Sequence, residues 1–339
     1  MTKLYEWKDK IVRFHAEYEI YMTYIYKFIL GLALFAWING KIGFMEQISS
    51  FPVTLVLALV CCLLPKGVML FVAAALVTLH LNVLSLEVAV AALLIFAMIF
   101  FVYFRFAPQD GLLVVLTPVL HAIGIPYVVT IGTGLLRKVY SVAAVICGTI
   151  VFYFVEGIHQ NVLVLQMTEA NDNVDVIKAT ISVEQLLSNK EVYLTLVVFA
   201  LVTMVVHMIR KMNIEHAWRV SIFVGSLLQI SGLLAGYLIL DIQGRWILMI
   251  IGSVLSIFLA LGLEFFFMDL DYTRTERVQF EDDEYYYYVK AVPKRNVTIT
   301  EKSITQFAGA SHFGKKKQEK VIRKRDIVDE LGIDEEDLK

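Results

Sequence analysis

Charged side chains are scarce in most of this chain. Only 18% of its 339 residues are charged and 58% are hydrophobic, whereas a soluble domain has about 25% charged and about 45–50% apolar residues. The first 268 residues hold 32 charged residues, while the last 71 hold 30. This distribution excludes a soluble enzyme, a disordered protein and a secreted disulfide scaffold. It predicts a membrane-embedded part followed by a water-exposed part.

The chain also lacks the signatures of several catalytic and binding classes. It contains no GxxxxGK[ST] phosphate loop, no GxSxG nucleophile turn, no HExxH pair and no paired CxxC motif. Its three cysteines lie in apolar runs, which favours buried hydrophobic roles over disulfide bonds. The net charge of −2 does not favour a nucleic-acid partner. We therefore expect no cofactor, no metal, no nucleic acid and no enzymatic activity.

Eight apolar segments are candidates to cross the hydrocarbon core, which is about 30 Å thick and needs about 20 residues of helix. Pro65 and Gly67 separate the second segment from the third, which predicts a short antiparallel pair. The sequence therefore predicts an all-α integral membrane protein, a polytopic helical bundle. Its expected spans are Ile20–Ile38, Ile48–Leu64, Val68–Leu84, Leu86–Phe104, Val139–Val155, Tyr193–Ile209, Val220–Leu240 and Trp246–Met268.

The stretch between the fourth and fifth spans differs from all of them. Residues 108–136 are mostly apolar, but they contain three of the chain's six prolines and four glycines. Each interior proline removes a helix hydrogen bond. Such backbone is tolerated at membrane depth only where other helices bury it or where it lines a cavity. We expect one re-entrant hairpin or two short spans, and both return the chain to the face that it left.

Basic residues between the spans indicate the orientation of the chain, because cytoplasmic loops carry an excess of Lys and Arg. Residues 157–192 hold five acidic and two basic residues and fall outside. The pattern predicts a multi-pass plasma-membrane protein with both termini in the cytoplasm. The basic residues that mark the cytoplasmic face are Lys3, Lys8, Lys10, Arg13, Lys66, Arg105, Arg137, Lys138, Arg210, Lys211 and Arg219.

These predictions divide the chain into five regions. Within the external loop, Val174–Val183 resembles a strand and the residues after it a helix, so we expect either a small lid or a partly ordered connector. The regions are an amphipathic cytoplasmic helix (1–19), a first transmembrane bundle with the broken segment 108–136 (20–156), the extracytoplasmic loop (157–192), the last three spans (193–268) and a charged cytoplasmic tail (269–339).

The tail has its own candidate contacts. Aromatic and β-branched runs predict two or three strands at 277–280, 284–292 and 297–300. A hairpin alone is marginally stable, so we expect it to pack on the membrane face, on another subunit or on a cytoplasmic protein partner. Alternatively, the tyrosines pack within the tail, and its end is solvated. The candidate partner contacts are Tyr285, Tyr286, Tyr287 and Tyr288, and the candidate contacts to anionic lipid headgroups are Lys315, Lys316 and Lys317.

Ionisable groups at membrane depth are unfavourable there and therefore mark candidate ligand or ion pathways. His121 lies in the broken segment between Pro118 and Pro126. Interrupted helices of this kind expose backbone groups to substrates in transporters. These three residues are the first candidates for a pathway.

Four further residues are candidates by their predicted depth. His80 and Glu156 are expected near the external boundary, and His207 and Glu264 near the internal one. Histidine changes its charge in the physiological pH range, so such sets suit a proton-coupled pathway. The alternative is that all four are boundary or packing residues.

Two functions remain open. The broken segment favours a transporter or permease for a small solute or ion. The tail favours a non-catalytic scaffold or assembly component of cell-envelope or secretion machinery. A water-filled cavity that reaches residues 118–126 favours the first function, and a dry bundle with an ordered, protruding tail favours the second.

Overall fold

The computed structural model describes residues 2–167, 174–242, 246–268, 276–281 and 284–291. Helix dominates these residues, which fits the predicted all-α class. The α-helices are α1 (Thr2–Glu17), α2 (Glu19–Ile42), α3 (Glu46–Ser49), α4 (Phe51–Leu63), α5 (Val68–Leu84), α6 (Leu86–Phe106), α7 (Gly111–Ile123), α8 (Tyr127–Leu136), α9 (Val142–Gln160), α10 (Val162–Met167), α11 (Val174–Ser188), α12 (Lys190–Arg210), α13 (Ala217–Ile239) and α14 (Trp246–Phe267). The strands are β1 (Glu276–Glu281) and β2 (Tyr286–Ala291).

Six helices in the described part of the chain are long and apolar enough to cross a membrane. They are α2, α6, α9 with the 3₁₀ turn that precedes it, α12, α13 and α14. The predicted second and third spans fold as α4 and α5, which have only 13 and 17 residues. At 1.5 Å per residue they are about 20 and 25 Å long, less than the roughly 30 Å of a hydrocarbon core.

The predicted antiparallel pair of α4 and α5 makes few mutual contacts. Instead, α4 packs mainly on α2, and α5 packs mainly on α6. One cause is Lys27 in α2, whose buried Nζ donates to the carbonyl oxygens of Cys62 and Leu64 at 3.3 and 2.8 Å. Because a buried ammonium needs such partners, these bonds hold the end of α4 against α2.

The broken segment folds as two short helices, α7 and α8, joined by a tight turn. Gly124 ends α7 in the left-handed conformation, with φ of 86°, which a residue without a β-carbon adopts readily. The amides of Gly124 and Ile125 donate to the carbonyl oxygens of His121 and Leu120 at 3.0 and 2.9 Å. This is the Schellman arrangement, which satisfies the last carbonyl groups of a helix. Pro126 then leads into α8, where its missing amide is not needed.

The two ends of the α7–α8 pair lie together. Oδ1 of Asp110, directly before α7, is 3.5 Å from Nε of Arg137, directly after α8. Oδ2 of the same carboxylate accepts a hydrogen bond of 2.5 Å from Oγ of Ser141. The two ends of the segment therefore lie at the same end of the bundle. Both predicted arrangements, one re-entrant hairpin or two short spans, require this. With 13 and 10 residues, the helices are about 20 and 15 Å long.

Two large hydrophobic clusters divide the bundle, and the paired helices belong to different ones. The first cluster is built on α2, α4, α5, α6, α7 and α9, and it includes Val114 and Val115 of α7. The second is built on α8, α12, α13 and α14, and it includes Ile131 and Leu135 of α8. The turn between α7 and α8 therefore lies where the two halves of the bundle meet.

The prediction of a strand at Val174–Val183 is wrong, because this stretch belongs to helix α11. Lys178 and Ser182, one helical turn apart, are both buried, and Ile181 packs on the first hydrophobic cluster. β-branched residues favour a strand locally, but packing against α6 and α9 stabilises the helix instead, since tertiary contacts override strand propensity. The described part of the predicted external loop is helical.

The described part of the tail is a two-stranded antiparallel hairpin. Strands β1 and β2 pair with Gln279 opposite Tyr288 and Glu281 opposite Tyr286, at the positions where the sequence predicts the first two strands. Tyr285 precedes β2, so three of the four tyrosines lie on the strand. The third predicted strand, at 297–300, lies outside the described residues.

The contact between the α7–α8 turn and α14 gives a first prediction. A β-carbon at Gly252 of α14 would lie 2.5 Å from the carbonyl oxygen of Gly124 and 3.0 Å from Cε2 of Tyr127. We expect Gly252→Ala to lower the free energy of unfolding by about 1–3 kcal/mol through overpacking, measured by thermal or denaturant unfolding in detergent.

Gly262 is the matched control, because it lies in the same helix and a β-carbon there would meet no atom within 4 Å. Gly262→Ala should be neutral or slightly stabilising, since Ala favours helix over Gly. Equal stability of the two variants would contradict the observed packing of the turn.

Candidate ligand-binding cavity

A cavity of about 480 Å³ lies next to the α7–α8 turn. Its walls come from the C-terminal ends of α2, α9, α11 and α13, the N-terminal ends of α12 and α14, and the turn itself. These helix ends share one end of the bundle, opposite the end that holds Asp110. The cavity thus combines residues from both halves of the bundle.

The cavity extends from the helix ends toward the middle of the bundle. Gln160, which is exposed, and Asn189, the N-cap of α12, line its outer part. Phe199 lines its inner part and lies nine residues after Lys190, the first residue of α12. At 1.5 Å per residue, that separation is about 14 Å, close to half the length of this 21-residue helix.

Aromatic rings form much of the cavity wall. Trp37 and Phe152 stack with ring centroids 5.7 Å apart, and Phe152 meets Tyr153 edge to face at 5.4 Å. Tyr127 and Phe199 form a second edge-to-face pair at 6.2 Å. Such arrangements are favourable for aromatic pairs, so the rings support one another and give the cavity a preformed apolar surface.

Among the described residues, three charged side chains line the cavity. Nζ of Lys41 lies 3.0 Å from Oε2 of Glu156, and their side chains are 31% and 23% exposed. Oε1 of Glu191 accepts long hydrogen bonds from the hydroxyl groups of Tyr153 and Tyr237, at 3.4 and 3.5 Å. The first carboxylate therefore has a cationic partner in the cavity wall, and the second has tyrosine partners.

Two wall residues carry a buried ring nitrogen that makes no hydrogen bond, Nε1 of Trp37 and Nε2 of His121. Nδ1 of His121 is 2.9 Å from the carbonyl oxygen of Thr117. Because a carbonyl oxygen only accepts, Nδ1 carries the proton, and Nε2 of the neutral ring is an acceptor. Buried polar atoms without partners are rare in folded proteins, but the described part of the bundle holds five others outside this wall, so these two atoms do not by themselves mark a ligand site.

Three of the predicted pathway residues line the cavity. They are His121, Pro126 and Glu156. Pro118 lies one turn before His121 in α7 and is buried outside the cavity lining. The structure therefore brings the broken segment together with one of the carboxylates that the sequence singled out.

His80 lies elsewhere and is fully buried. Its Nε2 is 2.8 Å from Oδ1 of Asn39, and its Nδ1 accepts a hydrogen bond of 3.2 Å from the amide of Met45. Asn39 in turn donates to Oγ1 of Thr54 at 2.8 Å. Both nitrogens of this ring are satisfied, and the network ties α5 to α2 and to the start of α4.

His207 and Glu264 also lie outside the cavity, at the other end of the bundle. His207 is buried near the C-terminal end of α12. Glu264 is buried in α14, with Oε1 3.3 Å from Nη2 of Arg219. Of the four residues selected by their predicted depth, only Glu156 lines the cavity. The four therefore do not form one continuous pathway.

The tail candidates are separate from the cavity as well. Tyr286 and Tyr288 are 65% and 79% exposed on β2, and Tyr285 is 63% exposed before it, whereas Tyr287 is only 36% exposed. The predicted lipid contacts Lys315, Lys316 and Lys317 lie outside the described residues.

Sequence reasoning missed several residues that form the cavity. Trp37, Lys41, Tyr153 and Tyr237 sit near helix ends, where aromatic and charged residues are common in membrane proteins. Glu191 contributed only to the acidic character of the predicted external loop. No local signal shows which helix ends meet in space, so these residues become visible only in the folded structure.

No group of three or more His, Cys, Asp or Glu side chains that could hold a metal ion occurs among the described residues. Comparisons of the chain with protein-family models, with curated proteins and with solved structures found no match. The class of the protein therefore rests on the helices themselves. Six candidate spans suggest a multi-pass membrane protein in a lipid environment.

The ion pair in the cavity wall gives a second prediction. We expect Lys41→Met and Glu156→Gln to be coupled by about 0.5–1 kcal/mol in a double-mutant cycle of unfolding free energies. Either single change leaves one partner without its opposite charge, so the double variant should lose less stability than the sum of the two losses. Partial exposure of both side chains keeps the expected value small.

Glu184→Gln is the control for this cycle, because Glu184 is exposed on α11 and does not line the cavity. Its effect should add to that of Lys41→Met without coupling. Strict additivity of Lys41→Met and Glu156→Gln would show that the pair contributes nothing to the wall.

Proposed function

We propose that this protein is a permease-like transporter of the plasma membrane that binds a small polar solute in the cavity beside the α7–α8 turn. The observation that carries the proposal is the position of the cavity. It touches both halves of the bundle and reaches the broken helical backbone near the middle of α12. Transporters place substrate sites at such breaks, where the ends of the interrupted helices face the substrate.

The size and chemistry of the cavity support solute binding. Ligand sites are clefts of roughly 300–1,000 Å³ in which a few placed polar groups fix the orientation of the ligand. The observed volume of about 480 Å³ lies in this range. The aromatic wall supplies the apolar surface, and Glu191, Lys41 and Glu156 supply the polar groups.

The predicted orientation places the cavity mouth outside the cell. Helices α2, α9 and α13 end at the cavity, and α12 and α14 begin there. With the basic loops in the cytoplasm, all these ends face the extracytoplasmic side, and both termini lie inside. The proposal assigns binding and passage of a solute to the cavity and no chemical reaction.

Cysteine labelling tests this proposal without knowledge of the solute. Ala122 is exposed, lines the cavity and lies at the end of α7. We expect Ala122→Cys in intact cells to react with membrane-impermeant methanethiosulfonate reagents added from outside, because water fills the cavity. The measurement is the rate of modification, followed by a mass shift of the purified protein.

Two controls define the outcome. The wild-type chain is the blank, since its three cysteines are all buried. Ala144→Cys on α9 should stay unmodified, because Ala144 is fully buried and does not line the cavity. The proposed external cavity is wrong if Ala122→Cys reacts with reagent from neither side of the membrane, or only with reagent that is added from the cytoplasmic side.

A second candidate function rests on the tail hairpin. Tyr286 and Tyr288 lie on the same face of β2 and are largely exposed. Exposed aromatic residues are enriched at protein interfaces, and a two-stranded hairpin is only marginally stable alone. These observations favour a scaffold or assembly role in cell-envelope or secretion machinery, with the hairpin as the contact to a cytoplasmic protein.

A photo-crosslinking amino acid at position 288 tests this second function in intact cells. We expect a discrete protein adduct from position 288 and a weaker one from position 287, which is less exposed and on the opposite face of β2. The measurement is the gel mobility of the crosslinked chain. Absence of an adduct from both positions would count against a scaffold role for the hairpin.

A further inference from the structure

The charges that the described residues bring to the cavity do not balance. Lys41, Glu156 and Glu191 line it, and the ammonium of Lys41 is paired with Glu156 at 3.0 Å. Among the described residues, the ion pairs leave no Lys or Arg nitrogen within 4.0 Å of the Glu191 carboxylate. The N-terminus of α12 offsets only about half an elementary charge. A negative charge therefore remains at Glu191.

The Glu191 carboxylate also has unused hydrogen-bonding capacity. A carboxylate accepts at about four positions. Both of its tyrosine contacts use Oε1, at 3.4 and 3.5 Å, which is longer than the usual 2.5–3.0 Å or so for a hydroxyl donor. No described residue donates to Oε2, so this oxygen is available to a donor from a ligand.

The aromatic rings around the Glu191 carboxylate also favour a positively charged ligand. Tyr153 and Tyr237 contact it directly, and Phe152 and Trp37 continue the wall. Aromatic faces carry negative charge density and attract cations, most strongly where water is excluded. An anion would meet the Glu191 charge unfavourably, and the ammonium of Lys41, which the described residues place in the wall, already pairs with Glu156.

Neutral polyols also fit this wall less well than a cation does. Two amide side chains at the outer part of the cavity are engaged within the protein. Oδ1 of Asn189 accepts from the amide of Glu191 at 2.9 Å, and Oε1 of Gln185 accepts from Nδ2 of Asn161. The donors and acceptors that remain in the wall, such as Nε1 of Trp37 and Nε2 of His121, are uncharged, so a neutral ligand would leave the Glu191 charge without a partner.

We propose that the cavity takes a small organic cation, an ammonium or quaternary amine with an apolar body, and that Glu191 is its counter-charge. This inference rests on the proposed function, because it names the class of solute for the same cavity. The cationic head lies at Glu191 between Tyr153 and Tyr237, and the apolar body lies against Phe152 and Trp37.

Charge-selective labelling of Ala122→Cys tests the inference. The probes are two methanethiosulfonates of similar size, one with a trimethylammonium group and one with a sulfonate group. Their rates at Ala122→Cys are divided by their rates with a small free thiol in solution. We expect the normalised cation-to-anion ratio to be at least about tenfold, and Glu191→Gln to lower it by about tenfold, because one charge dominates the local field.

Glu184→Gln is the matched control, since it removes a carboxylate from exposed α11 outside the cavity. It should leave the ratio unchanged. Circular dichroism and size-exclusion profiles of Glu191→Gln establish that the variant is folded. If both reagents react equally well, the cavity exists and the charge inference is wrong. If neither reacts, the proposed cavity itself is wrong.

Protection by a ligand gives an independent readout. We expect tetramethylammonium to slow the labelling of Ala122→Cys at least about threefold at millimolar concentration, and neopentyl alcohol, its neutral analogue in shape, to have no effect. The protection should disappear in Glu191→Gln. Equal protection by the alcohol would overturn the cationic assignment, because it would show that shape alone decides binding.

Discussion

The carboxylate of Asp110 closes the segment formed by α7 and α8, through an ion pair with Arg137 and a hydrogen bond from Ser141. At 3.5 Å, with one partner half exposed, the pair alone contributes little. The buried hydrogen bond of 2.5 Å from Ser141 adds a charge-assisted contact to the same carboxylate. Together they hold the start of α7 beside the end of α8. The opposite end of the pair, the turn at Gly124, is thereby placed inside the bundle.

This placement follows from what an apolar bundle permits. Broken backbone must have its polar groups satisfied at membrane depth or must line a cavity. The turn does both, since the carbonyl groups of Leu120 and His121 bond to the following amides, and the residues after them line the cavity. Because α7 belongs to one hydrophobic cluster and α8 to the other, the break also lies where the two halves meet. A relative motion of the two halves would change the cavity directly.

Much of this fold is predictable from the sequence, and the exceptions have physical causes. The bounds of α5, Val68–Leu84, coincide with the predicted segment because Pro65 and Gly67 precede it and Ser85 follows. The paired helices follow from the prolines and glycines of 108–136. The strand predicted at Val174–Val183 is a helix because its face packs on α6 and α9, which local propensity does not report. His121 and Pro126 were accessible to sequence reasoning because breaks are local. Glu191 was not accessible to sequence reasoning. Its place in the cavity wall depends on Tyr153 of α9 and Tyr237 of α13, which approach it only in the folded structure.

We infer that the broken segment dips into the bundle and returns to the face from which it started, because its two ends meet at Asp110 and Arg137. Labelling of single cysteines at the exposed positions 105 and 138, which flank the segment, tests it most directly. In intact cells, an impermeant maleimide should label neither position from outside, and both should become reactive once the membrane is opened. Labelling of one position from outside and of the other only from inside would contradict the claim, because the segment would then cross the membrane once.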